Sequence, residues 1–193
     1  MKKIILTLFM MLIFVQSNIA QTQFETDGVI VPRTIPFQNH TLQLNGFGTR
    51  SKMWVDVYVQ ALYLTNLSQE AQYILDSDTE MAVRLQIISN MVSSKKLSKS
   101  LNKGMEKSVG KENLKQFESQ IALLESLLNS EDTKKDDAFN LIYNPIDKSI
   151  WVYKNDKMQG KIPGFEFKKA FFGIWLSNNP VDEDLKKDLL GKF

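Results

Sequence analysis

The chain has 193 residues, 43% of them hydrophobic and 24% charged, with no cysteine. This composition excludes a disordered chain, and the missing cysteine excludes disulfides, thiolate catalysis, cysteine-ligated metals and a cysteine-linked lipid anchor. The formal net charge is +2, and two of the cations are Lys2 and Lys3. Without them the rest is near neutral and gives no electrostatic case for nucleic acid.

Residues 1–20 read as a secretory signal. Lys2 and Lys3 form the positive region, Ile4 to Val15 the apolar stretch, and Ser17-Asn18-Ile19-Ala20 a small-residue cleavage point that leaves Gln21 first. The apolar stretch falls short of the ~20 residues a spanning helix needs. The expectation is a periplasmic or secreted domain over 21–193, with no stable membrane anchor after cleavage.

Phe24 to Phe37 carries short strand-like pieces interrupted by Gly28, Pro32 and Pro36, as edge strands are. His40 to Phe47 alternates in strand fashion. Met53 to Leu64 is the strongest strand signal. Alternation puts Met53, Val55, Val57, Val59, Ala61 and Tyr63 on one face and Trp54, Asp56, Tyr58, Gln60 and Leu62 on the other. The second face is too mixed for plain core or plain surface and suits a cleft wall. Ser68 to Leu75 reads as a short helix capped by Ser68, and Met81 to Ile88 as a strand.

A helix opens at Ser93 or Ser94 and runs to about Val109, with Leu97, Leu101 and Met105 inward and Gly110 as its stop. Lys95, Lys96, Lys99, Lys103 and Lys107 form its outer side, read as a solvated face, with anionic lipid or an acidic partner as the alternative. Lys111 to Asn129 has helical spacing throughout, through Leu114, Phe117, Ile121, Leu124 and Leu128. After a charged loop come strands at 138–144, 149–154 and 158–162, joined by turn sequences. Phe165 to Trp175 and Asp182 to Leu190 return to helical spacing. This order is not the regular alternation of a parallel sheet. It predicts the α+β class, an antiparallel sheet with helices packed on one face.

The chemistry-bearing residues are few. His40, the lone histidine, sits in a polar turn context without a nucleophile motif, so no catalytic triad is expected. Metal-ligand motifs are absent from the sequence, and no cofactor is expected. Gly46-Phe47-Gly48 lacks the third glycine and following helix of a dinucleotide fingerprint. Paired glycines in a strand suggest a bulge or a close backbone approach. Arg50 beside them can meet an anionic group as a planar fork. Trp151, Trp175 and Phe165, Phe167, Phe171 and Phe172 read as core.

Arg50 and Tyr58 share parity, but in one unbroken strand they would lie about 26 Å apart at roughly 3.3 Å per residue. They can reach one ligand only if the chain turns near Ser51-Lys52. The reading also requires the guanidinium to face an apolar recess, neither hydrated outside nor neutralised by an internal acid such as Asp56.

Leu44-Asn45-Gly46-x-Gly48-x-Arg50, then Val57-Tyr58-Val59-Gln60-Ala61-Leu62-Tyr63-Leu64, resembles the signature of the chalcone isomerase-like family. Phe167 to Pro180, with Leu185 and Leu189-Leu190-Gly191, resembles the C-terminal part of bacterial members. The resemblance implies an open-faced antiparallel sheet with helices on one side and a cleft between, where plant members cyclise a chalcone. It puts Arg50 at the position of their charge-stabilising arginine. Tyr58 replaces a strand threonine, while a helix tyrosine and asparagine fall near Leu97 and Gly104, with Asn102 close by, and a late hydroxyl position near Gly173. An arginine and a tyrosine without that network resemble the fatty-acid-binding branch. The resemblance therefore implies a non-catalytic protein holding a fatty acid or similar apolar carboxylate on Arg50 and Tyr58. The alternatives are an isomerase acting on a chalcone-like enone, or an interaction module whose cleft is filled by its own aromatics.

Overall fold

The structure is a computed structural model and describes residues 23–192. The expected signal segment lies outside these residues. Strands β1 (Gln23–Thr26) and β2 (Val29–Pro32) form a separate hairpin. The main sheet is built from β3 (Thr34–Phe37), β4 (His40–Lys52), β5 (Val55–Leu64), β6 (Met81–Ile87), β7 (Ala138–Asn144), β8 (Ser149–Lys154) and β9 (Lys157–Pro163). These seven strands lie side by side in chain order, every pair antiparallel. Helices α1 (Ala71–Asp76), α2 (Ser94–Val109), α3 (Lys111–Leu114), α4 (Glu118–Leu128), α5 (Phe165–Leu176) and α6 (Glu183–Leu189) complete the fold. The α+β class and the antiparallel sheet with packed helices are as the sequence predicts.

Two apolar layers sandwich the sheet. On one face Leu62, Val83, Leu85, Phe139, Leu141 and Val152 meet helix residues such as Leu101, Leu124, Phe167 and Trp175. On the other, Leu42, Val59, Ala61 and Tyr63 pack under Val29 and Val31 of the β1–β2 hairpin. Tyr63 Oη donates to the Pro32 carbonyl at 2.9 Å, which ties that hairpin down. The face away from the helices is thus partly covered. Of the aromatics expected as core, Phe167, Phe171, Phe172 and Trp175 are buried, whereas Trp151 and Phe165 are only partly buried.

Local chemistry accounts for most element ends. The Ser93 side chain accepts from Lys96 N to start α2, and Gly110 stops it with φ of 84°. Three expectations are corrected. The single helix over 111–129 is broken by a 3₁₀ turn at Lys115–Phe117, where Phe117 turns into the core edge-on to Phe167. Ser68 does not cap α1; its Oγ accepts from Glu70 N in the turn before it. The strand expected from Met53 starts at Val55, because Met53 and Trp54 form the β4–β5 turn.

Two bulges shape the site. Asn45 is an extra residue between Leu44↔Tyr63 and Gly46↔Leu62. Its amide donates to the carbonyls of Ser68 and Leu189, both at 2.9 Å, and accepts from Ser68 N. This fastens the end of α6 onto β4. Gly46 and Gly48 are then the floor beneath α6. A Cβ on Gly46 would collide with the backbone of Asp188 and Leu189, and one on Gly48 with the Asp188 side chain. The paired glycines serve a bulge and a close approach together, as their pattern suggests.

Candidate functional site

The chain turns at Met53–Trp54, two residues beyond the turn expected near Ser51-Lys52. The result is the required one: Arg50 and Tyr58 are direct cross-strand partners. The second bulge lies immediately beside them. Arg50 opposes Tyr58 and Ser51 opposes Asp56, so Val57 is the extra residue on β5. A bulge re-aims side chains, and here it breaks the alternation expected for this strand. Val55, Val57 and Tyr58 all line one cleft, whereas Trp54 and Asp56 are exposed and Gln60 is buried. The mixed face is therefore corrected; of its five residues only Tyr58 reaches the cleft.

The cleft is a cavity of about 750 Å³ between the β4–β5 hairpin and α2. Its wall is apolar, including Val55, Val57, Val92, Leu97, Leu101 and Ile174. Every charged residue lining it is a cation: Arg50, Lys52, Lys96, Lys99, Lys103 and Lys107. The α2 lysines are solvent-exposed, as read from sequence, yet their face forms the cleft rim, which the helix pattern alone does not reveal. The cleft is not filled by the protein's own aromatics.

Arg50 is neither bare nor paired with Asp56, whose carboxylate instead accepts from Ser51 Oγ at 2.6 Å. The condition set on Arg50 is therefore not met, because a different acid neutralises it: Arg50 Nη1 lies 2.9 Å from Asp182 Oδ2. Arg50 also donates to the carbonyls of Ser51 and Val181. Asp182 holds this position because its other oxygen caps α6, accepting from Asp184 N and Leu185 N at 3.1 Å. The guanidinium is half-screened, with 21% of its side chain exposed against 23% for Asp182. A ligand anion at Arg50 therefore shares it with a fixed carboxylate.

Tyr58 is buried, and its hydroxyl accepts from Trp175 Nε1 at 3.2 Å. Indole nitrogen can only donate, so the phenol proton is left to point elsewhere. Burial pushes the Tyr58 pKa up, more than the Trp175 hydrogen bond and the Arg50 charge draw it down. Tyr58 thus lines the cleft as a neutral phenol that keeps its proton to donate.

The other positions implied by the family resemblance divide. Leu97 and Gly104 do line the cleft but carry no polar group. Asn102 faces away, its amide 3.4 Å from Glu125 Oε1. Gly173 packs on Ser108 outside the cleft. His40 lies half-exposed beside Glu80 at 3.7 Å and is not among the cleft residues. Sequence reasoning missed Asp182, Trp175 as the partner of Tyr58, and the bulge residue Val57. No local signal marks the first two, which are separated from their partners by most of the chain.

Sheet, helix layer and cleft define an α+β protein with a ligand-sized recess between a hairpin and a helix. A family model described as chalcone isomerase-like matches residues 23–191, and the chain belongs to that family. No curated protein sequence matches it. Among solved structures it is similar to AtFAP1, a fatty-acid binding protein of Arabidopsis thaliana. The TM-score is 0.69 at 16% identity, covering 87% of this chain and 95% of that one. At that identity the likeness speaks for the fold.

Proposed function

We propose that the protein binds a fatty acid or similar apolar carboxylate in the cleft, without catalysing a reaction on it. The observation that carries this reading is an apolar recess of about 750 Å³ whose charged lining is entirely cationic. Apolar walls with a few placed polar groups are what a small amphiphile needs. The tail lies along Val55, Val57, Leu97 and Leu101, and the head group takes the phenol proton of Tyr58, next to an Arg50 guanidinium that it shares with Asp182. A charge-assisted hydrogen bond of this kind is the stronger sort. Fatty-acid binding in the name of a protein with the same fold supports the class of ligand. Leu97 and Gly104 present no group to orient an enone or a water, which disfavours isomerase chemistry. The signal-like residues 1–20 support a periplasmic or secreted location for this activity.

Native mass spectrometry of the purified protein is the direct test, with a copurifying acyl mass as the expected result. Tyr58→Phe should weaken binding of a long-chain fatty acid by about tenfold or more, the worth of one hydrogen bond to a charged acceptor. A clean unliganded mass, with titrated fatty acid ignoring both Tyr58→Phe and Arg50→Ala, would remove the proposal.

A further inference from the structure

The tip of the β4–β5 hairpin is chemically out of place. Three hairpins of this protein turn through two residues of positive φ. The β1–β2 turn uses Asp27 and Gly28 (φ 49° and 73°), and the β8–β9 turn uses Asn155 and Asp156 (φ 48° and 63°). These are residues that tolerate the left-handed region. The β4–β5 turn puts Met53 and Trp54 there, at φ 48° and 68°. Large side chains in that region are strained. They are also left in water, Met53 83% exposed and Trp54 fully so. Met91, 63% exposed, lines the same cleft mouth as Met53.

Folding explains neither the strain nor the exposure, since Asn-Gly would serve the turn better on both counts. The charge around the tip is mostly positive, the exposed Asp56 being an acid on the same hairpin. Lys52 precedes it, and Lys96, Lys99, Lys103 and Lys107 line the facing edge of α2. Among the described residues none of these five lysines is ion-paired; Lys96 and Lys107 reach only the carbonyls of Met91 and Pro180. In a chain whose net charge is only +2, this is a local concentration.

We propose that the β4–β5 hairpin tip and the α2 lysine face dock on an anionic phospholipid membrane surface. Trp54 and Met53 enter the headgroup layer, where an indole is favoured. The lysines meet the lipid phosphates, as a cationic segment beside an interfacial anchor does. The cleft mouth lies between these two elements, so docking turns it toward the lipid. The surface shares its lysines and Met53 with the cleft rim but adds Trp54, which does not line the cleft, and its test needs no cleft ligand.

The experiment uses delipidated protein with vesicles of phosphatidylglycerol in phosphatidylcholine, read by co-sedimentation and tryptophan emission. Expected are co-sedimentation, release by high salt, weak binding to pure phosphatidylcholine, and a blue shift that Trp54→Ser abolishes. Lys99→Ser with Lys103→Ser should weaken vesicle binding about 25-fold, at roughly fivefold per lysine near an anionic surface. The double variant Met53→Asn with Trp54→Gly should lose vesicle binding while melting at a higher temperature, which separates lost docking from lost folding. Absence of vesicle binding by the wild type, or undiminished binding by Trp54→Ser, would overturn the proposal. So would a Trp54-dependent blue shift that rises with protein concentration without vesicles, which assigns the tip to a second copy of the chain.

Discussion

Gln60 lies between Tyr58 and Leu62 on the helix-facing side of β5 with no exposed surface, and neither amide atom has a partner among the described residues. Each unmet buried polar atom costs stability, whereas an apolar side chain of similar volume does not. Gln60→Met should therefore raise stability, by about 1–3 kcal/mol, read as a higher urea midpoint at unchanged slope. A lowered midpoint would mean the amide is satisfied in solution. Lys168 shows the opposite case. It is fully buried, yet its Nζ donates to the carbonyls of Ile74, Leu75 and Ser77 at 3.1, 2.8 and 2.8 Å, closing the end of α1. Burial lowers its pKa to about 8. Nothing in the sequence distinguishes it from the partly exposed Lys169 beside it, which pairs with Asp76, because its partners come from residues some ninety positions earlier.

Among the elements, α6 depends most on a feature readable in sequence, the glycine pair beneath it. The two glycines are not equivalent. At Gly46 an added Cβ meets the backbone of α6, which cannot move aside alone, whereas at Gly48 it meets the Asp188 side chain, which can. Gly46→Ala should cost about 1–3 kcal/mol, as overpacking does, and Gly48→Ala distinctly less. Equal losses would mean α6 shifts as a body. Strand pairs and helix faces were legible because alternation and fourfold spacing record which side is apolar. The bulges at Asn45 and Val57 were not, since an extra residue leaves the run of β-formers unbroken. Only pairing register exposes it. Hence the sequence points to Arg50 and Tyr58 as candidates, while the wall formed by Val57 and the pairing of Arg50 with Asp182 leave no trace in it. Asp182 could be read as the start of the last helix and no more, because its ion pair spans 132 residues.

At the scale of the whole molecule, stability should fall in acid for a traceable reason. Burial alone would raise Asp137, but bonds from Asn155, Lys134 N and Lys154 outweigh it and hold the carboxyl below its usual range. Asp147 behaves likewise, burial being outweighed by Lys161, Ser149 and Trp151. Asp76 is held low by Gln72 and Lys169. A carboxyl whose folded pKa is depressed contributes stability above its unfolded pKa, near 4, and loses it as pH falls through the folded value. Asp188, raised by burial, works in the other sense. The three lowered groups outnumber it, so the urea midpoint should drop below about pH 4. Asp137→Asn should flatten that drop; an unaltered acid limb would refute the assignment. Composition, order of elements and family were all recoverable from the chain alone. What covers the second sheet face was not, as the short β1–β2 pieces could have been edge strands of the main sheet.

An open seven-stranded sheet has two rims, β3 and β9. Each rim strand carries a proline, Pro36 and Pro163, and β9 adds Lys157 and Lys161. A proline has no amide hydrogen to offer an incoming strand, and lysines repel a like neighbour. The sheet therefore ends where it does by chemistry, and concentrated protein is shielded from growing into edge-joined polymers.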